Sequence, residues 1–141
     1  MTIKKILSLR TDTEISWGMA IFSYDSATKI LWHLTKLHNF DFERIRDFEL
    51  AHLNNSLHAV YYHFAQNYDS NLFFLKNKGS NGYIISSKIE IQYLLLAKDG
   101  ASNLLLEPIS DYLKNIKNIM AINPLEPKNY NKLAPYLSDY V

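Results

Sequence analysis

The chain has 141 residues, 48% of them hydrophobic, 21% charged and 13% aromatic. Those proportions exclude a disordered or fibrous polypeptide and suit one domain, which buries roughly two-thirds of its unfolded surface. Fifteen Lys and Arg against fourteen Asp and Glu leave a net charge of +1, so no global basic field draws in nucleic acid, and with no cysteine the chain has no disulfide, thiolate metal site or cysteine nucleophile.

At the N-terminus, Arg10 interrupts the apolar residues before they reach the length of a signal peptide. The longest apolar run, Tyr93-Leu94-Leu95-Leu96-Ala97, is too short to cross a bilayer. A cytoplasmic location is therefore expected, with no membrane partner. Abundant Lys, Asn, Ile and Tyr, all with AT-rich codons, point to a microbial or mobile-element gene.

Thr11-Asp12-Thr13-Glu14 reads as a capping box, and Ile15, Met19 and Phe22 behind it repeat at helical spacing. Asp25-Ser26 ends that helix and caps a second, whose Ile30, Leu31, Leu34 and Leu37 share a face and which stops near His38-Asn39. Asp41 caps a third, with Phe40 stapled on Ile45. Neither Gly nor Pro occurs between residues 40 and 78, and Phe42, Leu50, Leu53, Leu57, Val60, Tyr61 and Phe64 fall in one stripe at helical pitch. The third helix is thus expected to reach about Asn67. Residues 69–86 read as a loop or a small hairpin, the loop being favoured because two isolated strands are marginal. Ser87-Lys88-Ile89-Glu90 caps a helix that stops at Gly100, with alternation at Ile89, Ile91 and Tyr93 as the competing strand reading. Pro108 opens a last helix carrying Ile109, Tyr112, Leu113, Ile116, Ile119 and Met120, ended by Pro124 and Pro127. The tail, with Leu133, Tyr136, Leu137 and Tyr140, is expected to dock loosely. The sum is an all-α, single-domain bundle of four to five helices over residues 1–141.

The five histidines have no i,i+3 or i,i+4 pair, and Glu49-x-x-His52 lacks the second unit that a di-iron bundle needs, so no metal site is expected. Nucleotide fingerprints and a nucleophile elbow are absent, so no cofactor is expected. On a helical reading Arg46 points into the apolar stripe, where a guanidinium must be paired or face something other than core; Glu49, one turn on, is the local partner.

Arg46-Asp47-Phe48-Glu49-Leu50-Ala51-His52 resembles the Arg-x4–6-His motif of the HEPN family, helical-bundle domains of microbial defence and toxin–antitoxin systems. The resemblance implies an all-α, often dimeric fold and metal-independent RNA cleavage. Arg46 would stabilise the phosphate oxyanion and His52 would handle a proton. Apart from that resemblance, ten tyrosines, among them Tyr61, Tyr62, Tyr130, Tyr136 and Tyr140, tilt the chain toward a sticky face for a protein partner or a second copy. The leading expectation is a protein-binding module of the immunity-protein, antitoxin or defence-accessory type. The alternative is a HEPN-like ribonuclease or an inactive relative of one.

Overall fold

A computed structural model describes residues 14–137, so the capping residues Thr11–Thr13 and Tyr140 lie outside the described residues. Chain order gives β1 (Trp17–Ser23), α1 (Ala27–His38), β2 (Glu43–Leu50), β3 (Ser56–Ala65), β4 (Ser70–Lys76), β5 (Tyr93–Lys98), α2 (Ser102–Lys114), β6 (Ile119–Pro124), α3 (Pro127–Tyr130) and α4 (Ala134–Leu137). The strands form one six-stranded sheet in the order β2-β3-β4-β5-β1-β6, and every neighbouring pair is antiparallel.

The expected all-α bundle is therefore overturned: the molecule is sheet-dominated, and "helical bundle" does not describe it. Both faces of the sheet are covered. Trp17, Met19, Ile21, Leu72, Phe74 and Leu95 meet Ile30, Leu34, Leu105, Ile109 and Leu113 of α1 and α2. On the opposite face Ala20, Phe73, Leu75, Leu94 and Leu96 lie under Ile84, Ile91, Tyr130, Leu133 and Leu137. A strand covered on both sides is apolar at consecutive positions, and period alone does not separate such a run from a buried helix. That is the case for Leu72-Phe73-Phe74-Leu75 in β4 and for Tyr93 to Ala97 in β5, which replaces the helix expected up to Gly100.

The other misread segments have local causes. Ile15, Met19 and Phe22 share no helix face; in β1, Met19 points to the α1/α2 side and Phe22 packs with the opposite core. The long helix expected to Asn67 is the β2–β3 hairpin. Its connection, residues 51–55, is a 3-10 turn followed by Asn54 and Asn55, both at positive φ (53° and 58°), which Asn tolerates better than most residues. Inward positions of β3 are occupied by Ser56 and His58, both fully buried, and these polar residues hide the strand alternation. Residues 69–86, favoured as a loop, begin with β4 and continue as a loop tied by a bridge between Lys78 and Tyr83.

The helix over residues 27–38 is present. Its Ser26 side chain accepts from the Lys29 amide at 3.3 Å, and Asn39 closes it at φ 62°. Of the last expected helix, α2 keeps Ile109, Tyr112 and Leu113, but Ile119 and Met120 leave it for β6 after Asn118 turns the chain at φ 75°. The tail is docked, with Tyr130, Leu133 and Leu137 buried against the sheet. Among the described residues no helix is long and apolar enough to cross a membrane.

Candidate partner-binding edge

The sheet order leaves β2 and β6 as its outer strands among the described residues. They differ in chemistry. Glu43, Arg44, Arg46, Asp47 and Glu49 stud β2, its register slips between Ile45 and Phe48, and Arg44 Nη2 lies 2.8 Å from Asp47 Oδ1. Charges and a bulge are the means by which sheet edges discourage pairing with another chain. By contrast β6, Ile119-Met120-Ala121-Ile122-Asn123-Pro124, has no charged residue. Met120 is 57% exposed, and Ala121, Asn123 and Pro124 are exposed too.

Backbone register fixes what the outer flank of β6 offers. Leu125 donates its amide to the Gly18 carbonyl at 2.9 Å, which makes Leu125–Gly18 a hydrogen-bonded pair. Pairing Ala20 with Asn123 and Ile21 with Ile122 continues that register. Hydrogen-bonded and non-hydrogen-bonded pairs alternate in an antiparallel ladder. Asn123 therefore turns its amide and carbonyl toward β1, and Ile122 turns both outward, away from the sheet. Pro124 adds an outward carbonyl and no N–H. Beside the strand, α2 presents Leu104, 71% exposed, and Leu106, 38% exposed. Leu106, Ser110 and Lys114 line a cleft of about 230 Å³ with Met19, Ile122, Asn123 and Pro124.

The residues singled out from the sequence do not converge. Arg46 is exposed at the bulge of β2 instead of sitting in an apolar helical stripe, and Asp47 pairs with Arg44. His52 is exposed in the single 3-10 turn after β2. The helical frame that the HEPN resemblance implies is absent from residues 14–137. Tyr61 and Tyr62, being consecutive in β3, point to opposite faces: Tyr61 packs toward Phe74, and Tyr62 toward Phe73. Tyr130 is buried, and Tyr136 is half-buried with its ring stacked 5.9 Å from that of Phe48. These four do not form an exposed patch. Met120, Ile122, Leu104 and Leu106 are the surface residues that sequence reasoning missed. The signal for them was an uncharged apolar hexapeptide bounded by Asn118 and Pro124.

Two further polar constellations occur. An open cleft of about 410 Å³ lies between the ends of α1, β3 and α2, lined by His38, Phe40, His63 and Tyr112 with amide side chains at its rim. The His38 ring stacks on Tyr112 at 3.5 Å, while His63 Nδ1 lies 3.2 Å from the Asp41 carbonyl. Burial lowers the pKa of His63 and favours its neutral form. On the other face Tyr62 donates to Asn71 at 2.5 Å, and Asn71 donates to Asp99 at 2.7 Å. The buried Lys98 ammonium stands 3.9 Å from Asp99. Burial raises the pKa of Tyr62, with the Asp99 charge adding to it, so the phenol stays a donor. Among the described residues no three His, Asp or Glu side chains are grouped to hold a metal ion. The chain matches no family model, no curated protein and no solved structure.

Proposed function

We propose that this protein is a protein-binding module that takes a strand of its partner onto β6. The observation supporting this reading is the outer flank of β6: outward backbone groups at Ile122, no charge along six residues, and exposed apolar side chains on the strand and on α2 beside it. Strand addition draws affinity from main-chain hydrogen bonds and specificity from flanking side chains. Such a module acts by occupancy, as an immunity protein or an antitoxin does, and needs neither cofactor nor catalytic residue.

Photo-crosslinking in cells of the organism that encodes the protein tests this. A photoreactive amino acid in place of Met120 should give covalent adducts of one or a few discrete masses. The same residue in place of Glu49 on β2 should give none. No adduct from position 120, or equal adducts from both positions, would contradict the reading.

A further inference from the structure

We infer that the cleft between the ends of α1, β3 and α2 binds an uncharged carbohydrate, at a site separate from the β6 edge. Three strands, β4, β5 and β1, lie between β3 and β6. Charge is the first support. No Asp, Glu, Lys or Arg lines the cleft among the described residues. A phosphate, carboxylate or ammonium group entering it would give up water without meeting an opposite charge. Burial favours the neutral form of His63, and its Nδ1 faces the Asp41 carbonyl, which leaves Nε2 as an acceptor. At about 410 Å³ the cleft has the size of a small-ligand site.

Hydrogen-bonding capacity is the second support. His38, Gln66, Asn67, Tyr68 and Tyr112 line the cleft, and none of their side chains hydrogen-bonds to another described residue. Elsewhere on the sheet the polar side chains of Tyr62, Asn71, Asn77 and Tyr93 are bound within the molecule. An amide both donates and accepts, as a hydroxyl does, so two amides beside two phenols suit a ligand with hydroxyls around its rim. Ring geometry separates a sugar from a nucleobase. A base is held best by stacking face to face on aromatic rings. His38 and Tyr112 are parallel within 9°, but their centroids stand 3.5 Å apart, which leaves no slot between them. The other rings meet at 75° for Phe40 and His63 and at 44° for Phe40 and Tyr112. Such walls accept the C–H face of a pyranose, which needs no parallel partner.

The walls are also fixed in place. Thr35 donates its hydroxyl to the Phe40 carbonyl at 2.8 Å. The Asp69 amide donates to the Gln66 carbonyl at 3.2 Å, and the Ala101 amide to the Tyr68 carbonyl at 2.7 Å. Gly100, at φ 56°, packs so closely on this turn that a Cβ there would collide with the Asp69 carbonyl. A site held open by its own backbone contacts loses little conformational freedom when a ligand enters.

Profiling the full chain on an array of neutral, sulfated, uronic-acid and sialylated glycans tests the inference, followed by titration of the best neutral glycan under residue-resolved NMR. The wild type should bind neutral glycans, and the amides that shift should cluster at residues 38–40, 63–68 and 112. Gln66→Ala and Asn67→Ala, both at exposed side chains, should each weaken binding about two- to tenfold. Met120→Ala should leave it unchanged, with circular dichroism as the fold control. An array on which no neutral glycan is bound overturns the inference. So does binding confined to charged glycans, or neutral binding indifferent to both amide substitutions. Adenosine is the competing probe: if it shifts these amides and no neutral glycan does, the cleft holds a base and the carbohydrate assignment falls. The crosslink from position 120 is independent of every one of these results, so the edge-binding reading and this inference stand or fall separately.

Discussion

One sheet ends in two unlike strands. On one side, β2 keeps a buried anchor, Phe48 and Leu50, on the face covered by the tail, and it carries charges and a bulge along its exposed length. On the other side, β6 contributes no fully buried residue, and its most exposed large side chain is Met120. A strand that is well packed and charged is held by its own core and resists foreign partners. A strand that is lightly packed and uncharged leaves apolar surface and main-chain groups for another chain to use. The contrast shows where this molecule invests stability and where it leaves surface for association.

The largest expected effect breaks the packing half of that contrast. Phe48→Ala removes a ring that is 2% exposed and stacked on Tyr136, and should cost about 3–5 kcal/mol of unfolding free energy. Met120→Ala, on the opposite edge, should stay within about 0.5 kcal/mol for the monomer. Chemical denaturation of both variants at low protein concentration measures the two values. Comparable losses would mean that β6 is as tightly held as β2, and the contrast would fail.

A smaller effect separates the edges by pH. His58 in β3 faces Phe48 of β2; its Nδ1 lies 3.0 Å from the Lys76 carbonyl, and its Nε2 is buried with no hydrogen-bond partner among the described residues. Burial lowers its pKa, outweighing the Lys76 and Asn77 backbone contacts and the Asp47 charge, which raise it; His52 adds slightly to the lowering. His63, near the other end of β2, is lowered for the same reason. A histidine with a depressed pKa in the folded state takes its proton more readily when unfolded. Stability is then whole above the unfolded value, about 6.5, and declines as pH falls below it. Acidification from pH 7 toward pH 5 should lower hydrogen-exchange protection, corrected for the intrinsic pH dependence of amide exchange, in β2 and β3 before it does so in β1 and β6. A uniform loss of protection across the sheet would contradict this assignment.

The same residues explain both the legible and the hidden parts of the fold. Helix α1 was legible because Ser26, the Ile30/Leu34 face and Asn39 supply a cap, a stripe and a stop within one local segment. The β2–β3 hairpin was not, because its inward positions alternate Phe48 and Leu50 with Ser56 and His58, and polar residues at core positions erase a period of two. The unread punctuation was asparagine and aspartate. Asn39, Asn54, Asn55, Asp69, Asp99 and Asn118 all adopt positive φ, each at a place where the chain turns from one element into the next. Asn54 and Asn55 break the long helix expected through residue 67 into two strands, and Asn118 separates α2 from β6. The site was hidden for a related reason. Once Ile119 and Met120 are assigned to a helical stripe, they belong to a core; only the turn at Asn118 places them on an exposed strand. Arg46 likewise drew attention as a buried guanidinium on a helix, and becomes a surface charge once residues 43–50 form an edge strand.

The central claim is that the outward amide of Ile122 is hydrogen-bonded by another chain. Residue-resolved hydrogen exchange at Ile122, with and without the protein captured by the crosslink from position 120, addresses it directly. The account predicts that exchange at this amide slows when that protein is bound, while the amides of β2 keep a constant rate. Unchanged exchange at Ile122 in the complex would contradict it.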